Sequence, residues 1–224
     1  MSSEIVEDRV HLMDLAREGA LVGRTVRGLV TRSASLPGVD LDSAILERVG
    51  LEAADLTKAA LLRTILRQVD LRQAQLEGAL LDGTILTDGD LTECNLRGAA
   101  LRRVSLTSVR MMNADLRSAR LSNCTLTGCE AYGLKLGDAV IVKTAFHSKA
   151  GGSLSKASFV GATLVEVDLE GANLYRADLS RTLLIRCNLH AANLSSVNLT
   201  GARLIACDTM GVDWTDTVLP AEKP

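Results

Sequence analysis

Large apolar residues recur along this chain at a spacing that neither a helix nor a strand produces. One falls at every fifth position from Leu21 to Phe146, and a second run at the same spacing extends from Leu154 to Leu219. A helix would repeat at about 3.6 residues and a strand at 2. Of the 40 centres so defined 31 are Leu, and only Thr31, Ala131 and Thr209 are not large and apolar. Two residues before each centre stands Ala, Val, Cys, Thr or Gly, the exceptions being Arg24, Leu29 and Leu134. Each unit therefore offers one small and one large side chain to an interior. A polar residue separates the two, and a pair of variable residues follows.

Two buried positions in five suit a chain that turns a corner after every unit. Four corners close a square coil, and successive coils can stack at the spacing of neighbouring strands, about 4.8 Å. The leucines then form ladders down the inside, the small residues leave room for them, and the remaining positions face water.

Units such as Ala172-Asn173-Leu174, Ala177-Asp178-Leu179 and Ala54-Asp55-Leu56 resemble the A(D/N)LXX motif of the pentapeptide-repeat family, over nearly all of residues 19–219. The resemblance implies an all-β chain, a right-handed quadrilateral β-helix of about ten coils and roughly 50 Å in length at that strand spacing. Because such folds carry many functions, the role of this chain has to be read from its outward residues.

A stack of coils has raw edges at its two ends that need covering. Residues 3–17 place Ile5, Val6, Val10, Met13 and Ala16 near one face of a helix, with Ser3 as N-cap and Gly19 just past the end. The sequence thus predicts an N-terminal capping helix over 1–18, a first repeat run over 19–146 and a second over 154–219. Trp214, at a centre otherwise held by Leu, is the predicted C-terminal cap, followed by a short tail over 220–224. Between the runs Phe146 and Leu154 stand eight residues apart where five are expected. The excess predicts a protruding loop over 147–153, and His147, Ser148, Lys149, Gly151 and Gly152 are its candidate recognition residues. Phe146 and Phe159 flank the break and fill its space; Ala131 and Leu134 exchange the large and small positions, compensating in volume.

Composition narrows the role. The chain is 47% hydrophobic and only 2% aromatic with a net charge of −2, which argues against direct nucleic-acid binding. The start, MSSEIVEDRV, lacks a basic segment followed by an apolar one, and no run of about 18 apolar residues occurs, so a cytoplasmic protein without membrane contact is expected. The five cysteines, Cys94, Cys124, Cys129, Cys187 and Cys207, all occupy the small inward position, where cysteine acts as a small hydrophobe. His11, His147 and His190 are expected far apart, in cap, loop and outer surface. Asp55, Asp70, Asp90, Asp115 and Asp178 precede centres as part of the repeat, where corner hydrogen bonding accounts for them. No phosphate-binding glycine motif or zinc spacing is present, so neither a catalytic group nor a cofactor or metal site is expected.

The outer columns hold the candidate site. Ile45, Ile65 and Ile85 fall in one column just before a centre, where the motif prefers Asp or Asn. If the break replaces one ordinary corner, Val142, Val165, Ile185 and Ile205 fall in another column just after a centre, with Val140 and Leu183 beside them. Contiguous exposed apolar surface of this kind marks an interface, here expected to lie next to the 147–153 loop and to receive a protein partner or a second copy of the chain. The leading functional reading is a non-enzymatic scaffold or adaptor. The alternative comes from the resemblance alone: one branch of the family mimics duplex DNA and binds type II topoisomerases such as DNA gyrase, inhibiting or protecting them. Mimicry needs a strip of negative potential, whereas Arg63, Arg67, Arg72, Arg97, Arg102, Arg103, Arg110, Arg117 and Arg120 sit among the acids of the middle coils.

Overall fold

The computed structural model describes residues 5–147 and 153–220. The chain winds into a four-sided β-solenoid of about ten turns. Each strand ends where the next corner begins, so all but the first are three residues long. One parallel sheet runs Ile5–Val6, Thr25–Arg27, Ile45–Glu47, Ile65–Arg67, Ile85–Thr87, Ser105–Thr107, Thr125–Thr127, Ala145–His147. The second runs Leu80–Asp82, Ala100–Arg102, Arg120–Ser122, Val140–Val142, Thr163–Val165, Leu183–Ile185, Arg203–Ile205. Isolated parallel bridges such as Asp55↔Gln75 and Asp70↔Asp90 stitch the other two sides. On every side one coil hydrogen-bonds the next: Leu56 N–H donates to the Gln75 carbonyl at 2.7 Å, and Gln75 N–H donates to the Ala54 carbonyl at 2.9 Å.

The interior follows from the unit. Leu56, Leu76, Leu96, Leu116 and Leu136 stack on one another fully buried, as do Leu164 and Leu184, while Ala54, Ala74, Cys94 and Ala114 fill the small positions. Where that position is hydroxylic, the group finds a backbone carbonyl, on the preceding coil for Thr64 and Thr182 and on its own coil for Thr144, which donates to Val142 O at 3.1 Å. Thr64 Oγ1 donates to Leu41 O at 2.8 Å, and Thr182 Oγ1 to Phe159 O at 2.9 Å.

At the break the pairing steps from Leu126↔Phe146 on one side to Ile141↔Leu164 and Ala145↔Asp168 on the other. The three extra residues are absorbed between 147 and 153, and the ladders resume undisturbed. Phe146 and Phe159 are buried there, and so are the exchanged pair Ala131 and Leu134.

The two variable positions of each unit are not equivalent. Every described residue two after a centre has a positive φ: 26 are non-glycine, from Ser33 at 53° to Asp216 at 53°, and the others are glycines such as Gly83 and Gly161. A positive φ at the third residue of a four-residue turn is the signature of a type II corner. In Leu51-Glu52-Ala53-Ala54 the Ala54 N–H donates to Leu51 O at 3.0 Å around Ala53 at 55°.

The N-terminus corrects one expectation. The helix, α1, spans Arg9–Arg17 rather than beginning near residue 3, and Asp8 caps it by accepting from His11 N–H at 2.9 Å. Ser3 lies outside the described residues. Ile5 and Val6 form strand β1 instead, paired in parallel with Thr25 and Val26. The helical spacing of Ile5 and Val6 with Val10 is coincidental: Val6 is fully buried on the first coil, while Val10 is 66% exposed. The face of α1 that packs down is Leu12 and Leu15, assisted by Met13 and Ala16. Its end is a Schellman motif, with Gly19 at φ 67°, Gly19 N–H donating to Ala16 O and Ala20 N–H to Leu15 O. At the far end Trp214 is half-buried against the core, with Met210, Val218 and Leu219 exposed around it.

Candidate interaction face

Outward side chains on a solenoid stack in columns, so the pairing register decides which of them meet. Val142 pairs with Val165, Val165 with Ile185, and Ile185 with Ile205. These four stand on consecutive rungs of the second sheet. In the neighbouring outward column Val140, Thr163, Leu183 and Arg203 follow one another, so Val140 and Leu183 widen the stripe with Thr163 between them. Val140 and Ile205 are 42% and 40% exposed, and the rest are half-buried by one another. Above, the stripe stops at Arg120 and Ser122. Along one side it is edged by a charged ladder, in which Glu166 accepts from Arg186 and approaches Lys143 Nζ at 3.7 Å. Those two cations, Arg186 first, hold the Glu166 carboxyl below its ordinary pKa.

Ile45, Ile65 and Ile85 also stand in register, on the first sheet, ended by Thr25 and Ser105. Glu47 bridges Arg27 and Arg67, at 2.8 Å each, beside them. The two apolar stripes occupy different sheets and opposite halves of the rod, and the fold does not join them.

The described residues that flank the break, His147 and Ser153, do not belong to the sheet that carries the second stripe. Ser148, Lys149, Gly151 and Gly152 lie outside the described residues, and His147 is not a loop residue but the last position of the strand Ala145–His147. That strand belongs to the first sheet, whereas Val142 belongs to the second, so a corner containing Lys143 and Thr144 separates the two. His147 and His190 are not far apart either. Counting across the three-residue excess puts His147, Glu170 and His190 in one column, and with Thr127, Asp168, Gly171 and Ala191 they line an open cleft of about 690 Å³. The offset of 23 across the break, not the plain period of 20, sets this column. Among the described residues no group of three His, Cys, Asp or Glu side chains is arranged to hold a metal ion.

The remaining polar chemistry is structural. The Asp or Asn before a centre accepts from the backbone N–H two residues on: Asp55 from Thr57 at 3.0 Å, Asp115 from Arg117 at 3.1 Å, Asn173 from Tyr175 at 3.1 Å and Asp178 from Ser180 at 2.9 Å. Asn residues also link rungs, Asn198 Nδ2 donating to Asp178 at 3.2 Å and Asn188 Nδ2 to Asp168 at 3.0 Å. Four cysteines are buried and Cys207 is half-buried, all as free thiols. Burial pushes the Cys94 thiol far above its ordinary range and that of Cys187 to about 11, the reverse of an activated nucleophile. No helix among the described residues is long and apolar enough to cross a membrane.

The period, the inward ladders and the left-handed corners define a pentapeptide-type β-solenoid. The profile described as pentapeptide repeats matches residues 51–88, 90–128, 150–181 and 172–208 in eight copies, and the chain belongs to that family. Among solved structures it is similar to QnrB1, a plasmid-mediated fluoroquinolone resistance protein, with 17% identity over 87% of this chain and 93% of that one and a TM-score of 0.53. It is also similar to HetL, a pentapeptide repeat protein involved in heterocyst differentiation regulation in the cyanobacterium Nostoc sp. strain PCC 7120. There the identity is 24% over 97% of this chain and 99% of that one, and the TM-score is 0.43. No curated protein matches the sequence.

Proposed function

We propose that this chain is a non-enzymatic interaction scaffold that docks a protein partner on the face formed by Val140, Val142, Val165, Leu183, Ile185 and Ile205. The observation that carries the reading is the unbroken register Val142–Val165–Ile185–Ile205 on the outside of a parallel sheet. Side chains of this kind on a solvated face gain by being covered, at roughly 25 cal/mol per Å² of apolar surface removed from water. A rigid ladder presents them without any ordering cost on the scaffold's side. The Ile185→Asp/Ile205→Asp double variant keeps all inward residues and so keeps the fold. In pull-downs from the native host it is expected to lose a protein that the wild type retains; equal capture by both would defeat the reading. Light scattering on the same pair separates a hetero-partner from a second copy of the chain, since a homodimer through this face would become monomeric in the variant.

The second reading is binding to a type II topoisomerase, supported by the rod shape and by the likeness of fold to QnrB1. The middle coils count against it, because their acids are matched by arginines: Asp42 by Arg63 at 2.5 Å, Asp82 by Arg103 at 2.7 Å and Asp90 by Arg110 at 3.0 Å. A strip neutralised this way lacks the potential of a duplex. Inhibition of gyrase supercoiling by the added protein, or its protection from a quinolone, would reverse the order of the two readings.

A further inference from the structure

Resting on the docking face just proposed, we infer that its occupant is an amphipathic α-helix whose apolar stripe is flanked by carboxylates. Three observations lead there. First, Val140-Ile141-Val142 and Leu183-Leu184-Ile185 are apolar at every position, with Ile141 and Leu184 wholly buried inside and their neighbours facing out. Strands of a parallel sheet with this pattern ordinarily have both faces covered, and the cover is ordinarily helical. Here the inner face is covered by the solenoid's own core and the outer face is open.

Second, the stripe has the dimensions of a short helix. It spans four rungs, about 14 Å at the strand spacing, and is two columns wide. A helix rising about 5.4 Å per turn laid along the rod places close to one turn on each rung, so three turns offer one large side chain to each gap between rungs.

Third, cations outnumber carboxylates on the border although the whole chain carries −2, the acids there being Glu166 and Asp138, which stands in the corner column of Arg181. Arg120 continues the column of Val140, Arg203 that of Leu183, and Arg181 stands at the corner two residues before Leu183. All three are exposed, and none makes an ion pair among the described residues. Lys143 and Arg186 share the single carboxylate of Glu166 on the opposite border. Arg48, Arg97 and Arg176 elsewhere on the rod also make no ion pair among the described residues, so what distinguishes this face is that such cations gather around an apolar stripe. Acidic side chains flanking a partner's apolar stripe would meet them on both sides, which steers association and fixes orientation.

The test uses the full chain and two labelled synthetic peptides of about 14 residues, both helical, with Leu at every third or fourth position and either Glu or Lys on the flanks. Fluorescence anisotropy should show the Glu-flanked peptide binding and the Lys-flanked one binding about tenfold more weakly or not at all, with the difference shrinking in high salt. Arg181→Glu/Arg203→Glu should reverse the preference, and Ile185→Asp/Ile205→Asp should abolish binding of both; circular dichroism confirms that each variant is folded. Equal binding of the two peptides, or binding of neither, would overturn the inference. Failure of the docking face itself has a different signature, unchanged host-protein capture by Ile185→Asp/Ile205→Asp. A captured protein that depends on Ile185 and Ile205 but does not respond to Arg181→Glu/Arg203→Glu would keep the face and discard the acidic helix.

Discussion

At the scale of the residue, the costliest feature of this fold is its corners. Side chains at positive φ are strained by the clash of Cβ with the backbone, about 1–2 kcal/mol each, and 26 non-glycine residues among those described hold that conformation. The stacked coils enforce it, because the corner must turn before the next rung can pair. Ala53 is exposed at φ 55° and buries nothing that glycine would lose. Ala53→Gly should therefore stabilise the protein by roughly 0.5–1 kcal/mol, the relief of strain exceeding the added freedom of the unfolded chain. Ala53→Val, β-branched in the same conformation, should destabilise it by at least as much. Thermal melts of the two variants check the opposite signs; equal shifts would place the strain elsewhere. Leu56 and Ala54 were legible from the sequence because burial selects residue type strongly. The conformation of Ala53 was not, because Ser33, Arg63, Gln68 and Lys143 all share it and backbone strain leaves no common side chain behind.

At the scale of the element, the short strands lean on the carboxylates at their corners. Asp70 and Asp115 each accept a backbone N–H two residues on and pair with Arg72 and Arg117, at 2.7 and 2.5 Å. These arginines, before any other cause, lower both carboxyl pKa values; the Thr57 hydroxyl does so for Asp55, and Arg67 followed by Arg27 for Glu47. A folded-state pKa below the unfolded one means stability that is fully present above about pH 4 and is lost as the pH falls through the folded values. The melting temperature should accordingly be level from neutral pH to about 5 and decline below about 4. Asp70→Asn/Asp115→Asn retains an oxygen to accept the corner N–H, as Asn173 and Asn193 do, and removes only the charge. Its acid decline should be shallower than that of the wild type; an unchanged slope would assign acid sensitivity to other groups. The role of Asp in the corner was readable from the motif, and its pairing with arginine was not. Arg72 and Arg117 occupy a position the motif leaves free, and only the register shows what they meet.

At the scale of the whole molecule, each coil touches only the coils before and after it, so stability is close to a sum of rungs and junctions. Periodicity made this architecture legible almost completely, and it failed where the period stops. The N-terminal segment was read as one long helix because nothing in Ile5-Val6 announces that a strand will borrow the edge of Thr25–Arg27. The result is a double cover, in which β1 pairs with the edge of the first sheet and α1 buries Leu12 and Leu15 in the same hydrophobic core. Replacing both leucines of α1 with aspartate would strand two charges against that core and detach the helix. In a globular domain with one cooperative core such a change would lower protection everywhere. In a stack it should act locally, because the junction lost lies at one end. Hydrogen exchange of Leu12→Asp/Leu15→Asp should therefore show loss of protection in the amides of Thr25–Arg27 and weaker loss at Ile45–Glu47. Protection should be unchanged at Leu183–Ile185, and the docking face would keep its geometry. Uniform loss along the rod would show instead that the coils unfold as one unit and that the N-terminal cover governs the entire solenoid.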